Sequence, residues 1–243
     1  MKLLIPNAKE LLTNQDSFPN QELSSMSQAV LKTIQDYSAE KLATFYKLNP
    51  TKAEQEWERW QRLASGQAKT YPAWLLYDGL MYRYMKRTQV TAAEHDYLNQ
   101  HLRIATALYG LIAPTTLIAP HRLDFQGNLK IENTPLKQFW REQYDEEIQD
   151  DELIISLLSS EFEQVFSPTI RKRMVKIVFM ENRGGNLKIH STISKKGRGR
   201  LVSLMAEKQI ETIEQIKSLT FDGFKYSSKH SDDKTVTFIR EQE

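Results

Sequence analysis

Met174-Val-Lys-Ile-Val-Phe-Met180, Glu181-Asn-Arg-Gly-Gly-Asn186 and Leu187-Lys-Ile-His-Ser-Thr-Ile193 follow one another without a break, and they turn a helix-rich chain into an α+β one. The outer two runs are β-rich, with apolar residues at alternate positions. The Gly184-Gly185 pair between them supplies the positive φ that a tight hairpin needs. The expectation is a β-hairpin whose second strand runs into a basic loop, Ser194-Lys-Lys-Gly-Arg-Gly-Arg200, before Leu201, Leu204 and Met205 open a helical spacing toward Ile210. A strand, a glycine-bearing basic loop and a helix start together collect phosphates through free backbone N–H groups, the helix dipole and cationic side chains. On this reading Lys195, Lys196, Arg198 and Arg200 hold phosphate, and Gly197 and Gly199 let the backbone approach it. The absence of a G-x-x-x-x-G-K-[ST] loop argues against nucleotide hydrolysis of the Walker type.

Charge points the same way. The thirty residues from Arg171 to Arg200 hold ten Lys or Arg against one acid, Glu181, a formal +9 in a chain whose net charge is +2. Folding does not require such segregation, which speaks to partners instead, and the partner it suggests is an anion; a merely solvated surface is the plain alternative. At 243 residues, with 40% hydrophobic and 10% aromatic content, the chain has enough apolar material for a substantial core. It has no cysteine, which excludes disulfides, thiol catalysis and Cys-ligated metal centres. His95, His101, His121, His190 and His230 lack metal-ligand spacing, so no metal and no cofactor are expected. The run Met1-Lys-Leu-Leu-Ile-Pro6 is too short for a signal segment and no stretch is long and apolar enough to span a membrane. The expectation is a soluble, cytoplasmic monomer.

Outward from the hairpin, Lys2–Ile5 reads as a short buried strand. Helical spacing covers Leu23 to Ile34, Ala39 to Leu48, and a segment opened by Thr51-Lys-Ala-Glu54 that carries Trp57, Trp60 and Leu63. A further helix is expected over Ala73 to Met85 with Gly79 inside it, and another from the capping box Thr91-Ala-Ala-Glu94 through Ile104 to Leu108. The turn Tyr109-Gly110-Leu-Ile-Ala-Pro114 and the apolar Thr115–Ala119 after it resemble a helix-hairpin-helix, whose glycine turn offers N–H groups to DNA phosphates; an ordinary helical corner fits equally well. Pro135 to Ile148 is an amphipathic helix, and Leu153-Ile-Ile-Ser-Leu-Leu158 a strand buried on both faces. At the end of that strand, where open sheets place ligands, stands Glu161, the candidate catalytic carboxylate; a helix-start glutamate is its plainer reading. A helix from Thr212 to Leu219, a turn at Phe221–Phe224 and a strand at Thr235–Ile239 close the chain. The whole reads as one α+β domain over 1–243 with a central mixed sheet, helix-rich over 21–148 and sheet-bearing over 153–240.

Several of these stretches, in order, resemble the YaaA family of peroxide-stress proteins. Pro6-Asn-Ala-Lys9 sits where that family has Ser-Pro-Ala-Lys. Leu102-Arg103 through Leu108-Tyr-Gly-Leu111 to Pro120-His-Arg-Leu-Asp124 is similar to L-R-x-L-S-G-L-Y-G-x-L-R-P with P-Y-R-L-E. Ser156-Leu-Leu-Ser-Ser-Glu-Phe162 resembles N-L-A-S-x-E-Y, Lys195-Lys-Gly-Arg-Gly199 resembles K-K-A-R-G, and Phe221-Asp-Gly-Phe224 resembles the C-terminal E-G-Y region. Gly79-Leu-Met-Tyr-Arg-Tyr-Met85 departs from G-D-V-Y-x-G-L, with Leu80 in place of the acid. The resemblance implies a positively charged cleft, a helix-hairpin-helix-like element, binding to duplex or distorted DNA, and a role in limiting damage by peroxide and iron. The matched positions Lys9, Arg103, Tyr109, Gly110, Arg122, Glu161, Lys196, Arg198 and Gly199 are cationic apart from one acid, one tyrosine and two glycines, which suits phosphate binding better than catalysis by paired carboxylates. The two functions left in competition are a DNA-binding protein without base readout and an enzyme on a nucleic-acid or nucleotide substrate.

Overall fold

Lys2–Pro6 forms strand β1, and the alternation of its side chains explains the architecture: Leu3 and Ile5 enter one apolar core and Leu4 enters another, all three fully buried. A strand covered on both faces needs a layer of helices on each side. The structure, a computed structural model, describes residues 1–242. After β1 come helices α1 (Ser25–Ile34), α2 (Ala39–Tyr46) and α3 (Pro50–Ala64), strand β2 (Tyr71–Pro72), and helices α4 (Ala73–Leu76), α5 (Leu80–Arg83) and α6 (Ala92–His101). Strands β3 (Leu102–Thr106), β4 (Gly110–Ile112), β5 (Leu117–Ile118), β6 (Lys130–Ile131) and β7 (Thr134–Pro135) follow, then α7 (Leu136–Glu146), β8 (Ile154–Ser156), α8 (Ser160–Glu163) and α9 (Pro168–Arg173). The hairpin β9 (Met174–Arg183) and β10 (Asn186–Lys188) leads into α10 (Ser191–Glu207) and α11 (Ile213–Lys217), and β11 (Thr220–Phe221), β12 (Phe224–Tyr226) and β13 (Thr235–Gln242) complete the chain.

Among the described residues, nine strands make one mixed sheet in the order β11-β12-β13-β9-β8-β1-β3-β4, with β10 paired to β9. The centre is parallel, β13 with β9, β9 with β8, β8 with β1 and β1 with β3, while the margins are antiparallel. Side chains from α4, α5, α6, α10 and α11 pack into the core that receives Leu3 and Ile5; those from α1, α3, α7 and α9 pack into the core of Leu4, Trp60 and Trp140. The expected single α+β domain with a central mixed sheet is what the chain forms.

Five local expectations need correction. The basic run Ser194–Arg200 is not a loop: it lies inside α10, which starts at Ser191, so β10 ends at Lys188 rather than Ile193. Glycines weaken a helix interior, but here each is where another element presses in. A Cβ on Gly197 would stand 2.6 Å from the Phe179 ring, and one on Gly199 would collide with the Met81 carbonyl oxygen. The helix-hairpin-helix reading also fails, because the Gly110 turn joins the antiparallel strands β3 and β4. Leu102–Thr106 is buried against β1, from Leu3↔Leu102 to Pro6↔Ala105, and this pairing overrides the helical spacing carried on from α6. The Ala73–Met85 segment breaks between α4 and α5 because its backbone pairs elsewhere: Leu12 N–H donates to Leu76 O at 2.7 Å and Asp78 N–H to Glu10 O at 2.8 Å. Finally α3 is capped by Asn49, whose Oδ1 accepts from Lys52 N at 2.9 Å, with Pro50 in the first turn, so Thr51 is not the cap.

Candidate functional site

The parallel strands β1 and β8 lie side by side, β8 ending at Ser156 opposite Leu4 and β1 running on to Pro6. From β1 the chain goes on to β3 on one side; from β8 it goes on to β9 on the other. Where neighbouring parallel strands send their connections in opposite directions, a crevice opens beyond their carboxyl ends. Here it has a volume of about 410 Å³ and is walled by Asn7 and Lys9 after β1, Ser159 after β8, Gly79 ahead of α5, and Lys195 and Arg198 from α10. Because the basic run is helical, it is sorted by face: Lys195 and Arg198, three apart, look into the crevice together. Lys196 instead lies 5.0 Å over the Tyr84 ring, and Arg200 pairs with Glu207 at 3.4 Å.

Two carboxylates also border the crevice, and both are engaged. Lys9 Nζ lies 3.0 Å from Asp124 Oδ2 and donates to Gln126 Oε1 at 2.8 Å, while Glu10 is bound by Arg83. Lys195 and Arg198 have no such partner among the described residues. The Arg198 guanidinium is half-buried, its Nε is sealed from solvent without an acceptor, and burial pulls its pKa down against the opposing attraction of Glu163. Glu163 is itself tied beneath the crevice, accepting from Ser156 Oγ at 2.8 Å and from Lys176 Nζ at 2.6 Å. A desolvated guanidinium with an orphaned donor is costly unless something supplies acceptors and negative charge. The arrangement can receive an anion between Arg198 and Lys195, with Lys9, paired to Asp124, as a third cation on the same wall.

The remaining candidates lie apart from this group. Arg103 donates from Nε to Glu147 at 2.8 Å and from NH1 to the Asn99 and Leu102 carbonyls. Gly110 is buried with φ +76°, under Trp140 and Gln143, and its carbonyl accepts from Thr106 Oγ1 at 3.0 Å. Gly199 faces α5 rather than the crevice. Glu161 is bound by Lys137 at 2.8 Å, with its side chain 42% exposed, and is not among the crevice residues. Arg122 lines a smaller cavity next door. Asp124, Gln126 and Glu163 were not singled out in the sequence, although Asp124 carried a usable signal. In His121-Arg-Leu-Asp-Phe125 the buried His121, Leu123 and Phe125 alternate with half-buried Arg122 and Asp124, so an extended backbone puts the last two on one face.

Beneath Asn7 and Arg122 lies an aromatic cluster around His121. The ring centroids of Tyr109, Trp60 and Tyr77 stand 5.3, 6.1 and 6.3 Å from that of His121. His121 Nδ1–H donates to Ala119 O at 2.8 Å, which leaves Nε2 as a buried acceptor, and burial lowers the imidazole pKa to about 4. The imidazole is therefore neutral at ordinary pH. Among the described residues no helix is long and apolar enough to cross a membrane, and no group of three or more His, Asp or Glu is placed to hold a metal.

Comparison with known proteins places relatives beside this geometry. Residues 1–230 match the profile of a family described as "Peroxide stress protein YaaA". A "UPF0246 protein" of Streptococcus pneumoniae (strain CGSP14) is 47% identical over 241 residues, 99% of this chain and 100% of the relative. Another of Streptococcus sanguinis (strain SK36) is 47% identical over 242 residues, with the same coverage.

Proposed function

Since the chain belongs to the peroxide stress protein YaaA family, we propose that it is a cytoplasmic, monomeric DNA-binding protein of the peroxide response, one that grips backbone phosphates in the crevice between β1 and β8 without reading bases. The observation that carries this reading is Arg198: a half-buried guanidinium with an unpartnered Nε, next to a second cation, Lys195, that also lacks a counter-ion. Phosphate oxygens supply both acceptors and charge, and a guanidinium fork binds them bidentately. Base readout is given no support, because the cavity is lined by cations, a lysine-bound carboxylate and backbone rather than by a helix or ribbon free to enter a groove.

The test is fluorescence anisotropy on duplex and bubble DNA across a salt series. With Lys9, Lys195 and Arg198 neutralising about three phosphates, log K should fall against log[salt] with a slope of about −3 on duplex. Lys195→Ala should weaken binding to all sequences alike and flatten the slope by about one, whereas Arg103→Ala should change neither. A slope near zero in the wild type would overturn the reading.

A second reading, catalysis on a nucleic-acid or nucleotide substrate, is favoured by the size of the crevice and its place at the carboxyl ends of parallel strands. In it Asp124, released from Lys9, is the crevice carboxylate offered to a bound phosphate ester, and Glu161 stays with Lys137. Turnover of nicked, bubble or lesion-bearing DNA that Asp124→Asn abolishes while binding persists would select it over pure binding.

A further inference from the structure

Beyond the wall formed by Lys9, Asp124 and Gln126, a second cavity of about 140 Å³ opens against the C-terminal turn of α2. It shares those three residues with the crevice and adds Lys47, Arg122 and the rings of Phe45 and Tyr46. Its charges are unbalanced. Asp124 and the Gln126 side-chain oxygen are both engaged by Lys9. Arg122 and Lys47 make no ion pair or hydrogen bond among the described residues, and Glu56, the buried carboxylate that attracts Arg122 from outside the cavity, is itself paired with Arg59, so the cavity lining carries two positive charges in excess. At the end of α2 the carbonyls of Ala43 and Thr44 are taken by the Lys47 N–H. The tip of the Phe45 ring presses on Gly127, where any Cβ would collide with it, and forms a firm wall.

From this surplus and this size we infer that the cavity is a subsite for a phosphomonoester, the terminal phosphate of a DNA strand or of a nucleotide. A phosphomonoester carries about −1.5 to −2 charge at neutral pH, which matches the excess, whereas an internal phosphodiester carries a single charge. About 140 Å³ is the bulk of roughly four or five waters. That accommodates one phosphate group. Arg122 binds the phosphate by its fork, Lys47 closes over it, and Lys9 sits between this group and the anion held by Lys195 and Arg198. The two cavities thus form adjoining anion sites. For DNA this rests on the reading of the crevice given above, which it deepens from a generic backbone grip to recognition of strand ends.

The experiment compares oligonucleotide duplexes, labelled away from the test end, that carry a 5′-phosphate, a 3′-phosphate or only hydroxyls, on wild type, Arg122→Ala, Arg122→Lys and Lys47→Gln. One phosphorylated end should bind about tenfold or more tighter than the hydroxyl end, and which end does so identifies the source. Arg122→Ala should remove that preference while leaving hydroxyl-ended binding within about twofold; Lys47→Gln should reduce it, and Arg122→Lys should retain part of it. Equal affinity for all ends, or an Arg122→Ala loss equal for all ends in a folded protein, overturns the inference. If no duplex binds, the crevice reading falls, and calorimetry with nucleoside 5′- and 3′-monophosphates against the nucleosides decides this one. Binding of a monophosphate that Lys47→Gln weakens sustains the subsite; no difference between monophosphate and nucleoside removes it.

Discussion

A glycine in a helix interior is ordinarily a weakness, and replacing it by alanine adds up to about 1 kcal/mol of helix stability. In α10 the sign reverses. Gly197 is covered by the Phe179 ring and Gly199 by the Met81 carbonyl, so a methyl at either place displaces a neighbour. Gly199→Ala should lose about 1–3 kcal/mol by overpacking, more than Gly197→Ala, because a backbone carbonyl yields less than a ring. Urea unfolding of the two variants checks both the sign and the order. His121 makes a second prediction at this scale. Its folded pKa of about 4 lies below the ordinary imidazole value, so between the two the unfolded chain takes up the proton and the folded one does not. This contribution is fully present above pH about 6.5 and is lost as pH falls toward 4, amounting to as much as about 3 kcal/mol. A His121→Gln variant should show a flatter dependence of Tm on pH over that window than the wild type.

At the scale of elements, the parallel pair β9 and β13 runs in register from Thr235↔Lys176 to Gln242↔Arg183, and its far end is closed by an ion pair. Glu181, fully buried, accepts from Arg240 on the neighbouring strand, with Arg183 3.5 Å away. Arg240→Ala would take the nearer of these two cations from a buried carboxylate and leave the exposed Arg183 3.5 Å away. It should cost about 2–3 kcal/mol, less than the ~3–5 of a fully severed buried pair, as measured by denaturant midpoint. The helix α10 shows how element geometry decides function. A run of four cations within six residues would present all of them to one ligand if it were a loop. Wound into a helix, it delivers Lys195 and Arg198 to the crevice and directs Lys196 to Tyr84 and Arg200 to Glu207. Ion pairs and cation–π contacts of such exposed groups contribute little to stability. Lys196→Ala should therefore leave Tm within about 1 °C and weaken DNA binding less than Lys195→Ala does.

Across the whole molecule, the sheet order brings the ends of β1 and β8 together although 150 residues separate them, and α10 folds back over that junction. Much of the scaffold was legible beforehand. The alternation in Met174–Met180, the Gly184-Gly185 turn, the continuous Leu153–Leu158 run and the capping box at Thr91 each state a local preference strong enough to survive packing. Three places were not legible, for one reason: the deciding partner lies far along the chain. Leu102–Thr106 is a strand because β1 stands ready to pair with it, and Ala73–Met85 breaks because residues 10–12 take its backbone hydrogen bonds. The glycines of α10 read as ligand-approach signals until Phe179 and Met81 are seen against them. The candidate site divides in the same way. Sequence by itself determined that the protein concentrates positive charge in one segment, that Lys9, Arg103, Arg122, Lys195, Lys196, Arg198 and Arg200, with Gly110 and Gly199, are its phosphate-binding candidates, and which family it resembles, because residue type and order are enough for each of these. Only the tertiary structure decided which of those cations meet, that Asp124 and Glu163 stand among them, and that Arg198 is left without a partner. Burial and counter-ion pairing are properties of the three-dimensional neighbourhood, and no local pattern encodes them.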